Sequence, residues 1–148
     1  MTEPELAPSA VILTQVAAAE SLAAACAISK VDIDAVPTDI GAVAVCRSTA
    51  PGEPARAAEV ISRVLQNTQV VLMTHQAGQM TATQWLGGEA AGTVSPLLML
   101  DGAPDVVEQL LLGQVLAAGV PGVVSSVGMS RWKATRVLAS AARLARRR

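Results

Sequence analysis

The apolar positions of this chain form short runs separated by Gly, Pro and Asp, and two different periods run through them. AVILT over 10–14 is a continuous apolar run of strand length. The alanine-rich stretch over about 16–29 follows it as a helix on intrinsic propensity, with Val16, Leu22, Cys26 and Ser29 near one face. The chain breaks at DIDAVPTDIG before a second strand, AVAVC over 42–46. STAPGEP then opens a helix in which Ala57, Val60, Ile61, Val64 and Leu65 recur at helical spacing, with Glu59 one turn ahead of Arg63 as a supporting pair.

The period then changes. QVVLMTH over 69–75 is a run suited to a strand covered on both faces, and Ala77–Gly78 is a hairpin turn. QMTATQWL alternates, placing Thr81, Thr83 and Trp85 on one face and Met80, Ala82 and Leu86 on the other. GGEAAG reads as the next turn and TVSPLLML as a further strand, pushed toward an edge or bulge by Pro96. Pro104, Asp105, Glu108 and Gly113 frame a short helix, PDVVEQLLL. A last helix starts at Ser130 as N-cap and carries Ala134, Val137, Leu138, Ala141 and Leu144 on its apolar side. The order β-α-β-α-β-β-β-α-α predicts one small α/β (α+β) layer domain with a mixed sheet of about five strands. It spans 9–148, with residues 1–8 frayed and 120–148 a basic C-terminal helical segment.

Composition adds a constraint on the core. Hydrophobic residues make up 51% of the 148, enough for a core without disulfides or metal, yet Phe and Tyr are absent and Trp85 and Trp132 are the sole large rings. A core of Val, Leu, Ile, Met and Ala has thin contacts per residue, so modest stability and burial against a partner are expected.

The net charge of −1 conceals a division: all 12 acids and four bases lie in residues 1–108, a balance of −8. Residues 109–148 hold no acid and carry +7, through Arg131, Lys133, Arg136, Arg143, Arg146, Arg147 and Arg148. An acidic body with a basic end is suited to a polyanion, an anionic membrane, or the acidic surface of its own protomer or a partner. The acidic, Pro-containing start lacks the basic region of a secretory signal, and LAAAC ending at Cys26 matches a lipidation site only in its small residues, without a preceding basic residue. No membrane span is expected, because Asp105, Glu108 and Gln114 interrupt the longest apolar candidate. Cys26 and Cys46 stand in apolar settings at no metal-like spacing and read as two reduced, buried thiols of a cytoplasmic protein. The Ala-, Val- and Arg-heavy composition matches a GC-rich bacterial genome.

Four stretches carry candidate chemistry. PGVVSSVGMSRWKATRVL, from Pro121, resembles the helix-turn-helix of bacterial transcription regulators. The resemblance implies a short first helix, a turn at Gly128 and a second helix opened by Ser130. Val123, Val127, Met129, Ala134 and Val137 would then be buried, and Arg131, Trp132, Lys133 and Arg136 would face a major groove. The competing reading is a helix whose apolar stripe packs on the body while its arginines are solvated or complement the helix dipole. SRWK, Ser130 to Lys133, fits the S-x-x-K spacing of a serine nucleophile with a lysine one turn on, but S-D-N and K-T-G companions are absent. Asp32 and Asp34 in VDIDAV resemble the paired carboxylates of haloacid-dehalogenase-like phosphatases; the competing reading is an Asp-rich turn. His75, the sole histidine, suits a general base only if a nucleophile or carboxylate converges on it.

No phosphate loop, dinucleotide glycine pattern or metal-ligand cluster is present in the sequence, so no cofactor, metal or small-molecule ligand is expected. The expectation is a non-catalytic regulatory or adaptor protein that binds a protein partner, or a second copy of itself. It would do so through its basic last helix, with Arg131, Trp132, Lys133, Arg136, Arg143, Arg146 and Arg147 at the contact, or an exposed sheet edge, or both. A DNA-binding regulator using residues 120–138 is the alternative, and a small hydrolase or phosphatase-like enzyme the third.

Overall fold

The structure, a computed structural model, describes residues 8–66 and 68–146, and the side chains of all of these but 144–146. Residues 1–7, where fraying is expected, and Arg147 lie outside the described residues. Among the described residues, seven strands and five helices follow in the order β1 (Ser9–Leu13), α1 (Ala19–Ile28), β2 (Ile33–Val36), β3 (Val43–Cys46), α2 (Glu53–Leu65), β4 (Val70–Gln76), β5 (Gln79–Leu86), β6 (Glu89–Thr93), α3 (Pro96–Asp101), α4 (Asp105–Leu111), β7 (Val124–Ser125) and α5 (Arg131–Arg146). A single 3-10 turn at Ala117–Gly119 lies between α4 and β7.

The strands form one sheet in the order β6-β5-β4-β1-β3-β2-β7, antiparallel at every step. The expected mixed sheet of about five strands is therefore corrected to an antiparallel sheet of seven, within a mixed α and β domain. Its first six elements, βαββαβ with β4-β1-β3-β2 side by side, have the split βαβ topology of ferredoxin-like folds. The β5–β6 meander widens one side and β7 the other.

Both faces of the sheet are covered. Ala10 and Ile12 of β1 point into a layer with Leu22 and Cys26 of α1 and Ala57, Ala58 and Ile61 of α2. Val11 and Leu13 point the other way, onto Val107, Leu110 and Leu111 of α4. A central strand buried on both sides needs no polar alternation, which is why β1 reads as an unbroken apolar run.

Three further expectations are corrected. TVSPLLML is not a strand: Ser95 Oγ accepts from the Leu98 amide and Pro96 occupies the first helical position, so N-cap chemistry makes 96–101 helix α3. GGEAAG is a turn only at Gly87–Gly88, since Glu89–Thr93 pairs with β5 as the fully exposed edge strand β6. DIDAV, read as a chain break, is β2, with Ile33, Ala35 and Val36 buried.

The exit of β1 is tied to the β2–β3 connection. Thr14 Oγ1 donates to the Ala42 carbonyl at 2.7 Å, and the Ala42 amide donates to the Val16 carbonyl at 2.7 Å. Between them Gly41 holds φ +126°, and a Cβ there would stand 2.5 Å from the Thr14 carbonyl oxygen. Gly41→Ala should lower unfolding stability by about 2–3 kcal/mol in urea titrations. A loss below about 0.5 kcal/mol, the range of ordinary surface substitutions, would contradict this geometry.

Candidate interaction surface on the C-terminal helix

The position of α5 is set by the residues just before it. Ser126, 5% exposed, joins the end of α1 to β2: its Oγ donates to the Val31 carbonyl at 2.7 Å and accepts from the Ile33 amide at 2.8 Å. Its own amide donates to the Ile33 carbonyl at 2.9 Å. Gly128 turns the chain with φ +83°, and Met129 packs into the α1 side of the core. Ser130 then caps α5, its Oγ accepting from the Lys133 amide at 3.1 Å. That hydroxyl is engaged as a cap, the role that the S-x-x-K spacing left open.

From this start α5 lies along α1. Ala134 is fully buried, and Val137, Leu138 and Ala141 are half-buried on the same side. Leu138 shares with Leu22, Ala25 and Cys26 of α1, and with Val60 and Val64 of α2, the lining of an apolar cavity of about 110 Å³. At about 100° per residue, Trp132, Arg136, Ala139 and Arg143 fall directly opposite Ala134 and Leu138, and all four are exposed. Trp132 retains 74% of its surface in solvent. Lys133 and Arg131 flank this stripe and are also exposed. Lys133, Arg136 and Ser140 wall an open cleft with Glu20 and Ser21 of α1. Arg146 is the last residue of α5, its side chain outside the described set, as is Arg147.

The first helix expected from the helix-turn-helix resemblance is not formed. Gly122 has φ +84°, and a Cβ there would stand 2.9 Å from the ring of Pro37. Val124–Ser125 is β7, in register with Ala35 and Asp34. Val127, expected to be buried, is 45% exposed. The turn at Gly128 and the capped second helix remain.

The structure does not bring the other candidates together. His75 is buried on β4, level with Ser9 and Met80. Asp34 lies on β2, three strands away, which at ~4.8 Å per strand is about 14 Å. Its Oδ1 accepts from Arg47 Nη2 at 2.8 Å and Nε at 3.1 Å, and Arg47 also donates to Ser125 Oγ at 3.1 Å, joining β2, β3 and β7. Asp32 is exposed and lines a small cavity with Lys30, Glu53 and Arg56. Among the described residues no three His, Cys, Asp or Glu side chains are grouped to hold a metal ion, and no helix is long and apolar enough to cross a membrane. Cys26 is buried and Cys46 half-buried, both within the α1–α2 side of the core. Burial pushes both thiols up to about 12, and for Cys26 the neighbouring Cys46 adds to the effect, so both are protonated at neutral pH.

One surface has no counterpart among the expectations. On the face of the sheet away from α5, Met80, Leu97, Leu100 and Ala103 line an open cleft of about 320 Å³ together with Asp101, Asp105 and Glu108. A strand over 93–100 would not form it, because the helical turn of α3 is what places Leu97 and Leu98 together in solvent. No family model matches the chain, and no curated protein or solved structure matches it.

Ser126→Ala removes the one hydroxyl that serves both Val31 and Ile33. It should cost about 1–3 kcal/mol of unfolding free energy, the range for a buried backbone group left unpaired. An unchanged denaturation midpoint would contradict the role of Ser126 in holding the start of α5.

Proposed function

We propose that this chain is a non-catalytic regulatory or adaptor protein that binds a protein partner through the outer face of α5. The observation that carries the reading is Trp132. A large ring kept 74% in solvent, on a helix whose opposite side is already packed, is surface reserved for another molecule. Arg136 and Arg143 share its stripe, and aromatic and arginine side chains are the residue types that dominate protein interface energies. The absence of any acid in 109–148 makes an acidic partner surface the electrostatic complement. A protein is favoured over duplex DNA because the helix that would brace a recognition helix against the phosphate backbone is replaced by a turn and β7.

A photo-crosslinking phenylalanine analogue placed at position 132 of the full chain tests this in cells. The expected result is covalent adducts with protein, absent when the same group replaces the exposed Asp39 of the β2–β3 connection. Adducts with nucleic acid would replace this reading by the DNA-binding one, and adducts no more frequent than at position 39 would overturn it.

A further inference from the structure

On the opposite face, the cleft beside α3 and α4 combines exposed apolar side chains with an acidic rim. Leu97 and Leu98 are 71% and 74% exposed, among the most exposed large apolar side chains of the described residues. Leu97 stands beside Met80, Leu100 and Ala103 in the cleft, and the rim carries Asp101, Asp105 and Glu108. No Lys or Arg occurs anywhere between Arg63 and Arg131, so the segment that builds this cleft supplies no basic residue of its own. Among the described residues its three carboxylates form no ion pair.

The stripe on α5 is the converse surface: a tryptophan, two arginines and an alanine, on a segment without acids. The two cannot meet within one molecule. α5 packs on α1, on one side of the sheet, whereas α3 and α4 contribute Met99, Leu100, Val107 and Leu110 to the core on the other side. We infer that the apolar, acid-rimmed cleft between α3 and α4 receives α5 of a second copy of this chain. Trp132 lies among Leu97, Leu100 and Met80 in that contact, and Arg136 and Arg143 face the Asp101, Asp105 and Glu108 rim.

Such a contact joins two different patches, so it is head to tail. It leaves one free α5 and one free cleft on each pair, and grows into a ring or a chain. Because its charged part is solvent-exposed, the association weakens as salt rises. The inference rests on the reading of α5 as a docking face, and it adds the identity of the partner and the site that receives it.

Two variants separate its parts. Trp132→Ala with Arg136→Ala and Arg143→Ala removes the inserting face and leaves the cleft intact. Asp101→Lys with Glu108→Lys spoils the cleft rim and leaves α5 intact. By sedimentation velocity the full-length wild type should form species larger than a dimer as concentration rises, and fewer of them at high salt. Each variant alone should be monomeric. Their equimolar mixture should form a 1:1 complex and nothing larger, because only one productive pairing remains.

A wild type that stays monomeric at low salt, variants that still assemble, or a mixture that stays monomeric would each overturn the inference. Crosslinks from position 132 to a different protein, with the chain itself monomeric, would leave the proposed function standing and remove only this partner. Crosslinks to no protein would remove both.

Discussion

An alanine-rich helix covered on two sides is the constraint on which the rest of this structure depends. α1 places Ala19, Leu22, Ala23 and Cys26 against the sheet, while Ala24 is also fully buried and Glu20 is its one exposed residue. A helix apolar all round is stable only where neighbours enclose it, and small side chains let those neighbours come close. The sheet supplies one neighbour and α5 the other. The basic end of the chain is thus part of the core through Ala134, Val137 and Leu138, and only its outer half belongs to the surface.

That arrangement follows from the order of the elements. The βαββαβ unit puts α1 and α2 on the same face of an antiparallel sheet, leaving the other face to be covered by something later in the chain. α3 and α4 cover it, and β7 then brings the chain back to the β2 edge so that α5 can reach α1. Asp101, Asp105 and Glu108 of α3 and α4 are in this way delivered to the side of the sheet away from the basic stripe of α5, while Glu20, Glu53 and Glu59 ride on α1 and α2 on the same side as α5.

Much of the fold was legible in the sequence where a single period dominated. β1, β3, β4, β5, α2 and α5 stand within a few residues of their expected places, since each is a clean apolar run, alternation or helical stripe. The elements that escaped are those whose stability comes from pairing rather than pattern. β6 is wholly exposed, β7 is two residues long, and β2 carries Asp34 in mid-strand, where Arg47 just past the end of β3 pairs with it. α3 was misread because the apolar run LLML outweighed the Ser95–Pro96 helix start. The outer residues of α5 were legible as candidates from charge alone. The cleft with Leu97 and Leu100 was not, since nothing in an apolar run tells a buried leucine from an exposed one. The resemblance to a helix-turn-helix failed at Gly122, whose positive φ is a property of the fold around Pro37.

α5 completes the burial of α1. Hydrogen exchange of the α1 amides, compared between the full chain and a chain ending at Ser130, tests it most directly. Loss of α5 should expose Ala24 and its neighbours and speed exchange throughout 19–28 by at least an order of magnitude, whether by local opening or by global destabilisation. Unchanged protection of α1 in a folded truncated chain would contradict the account and return α5 to the status of an appendage.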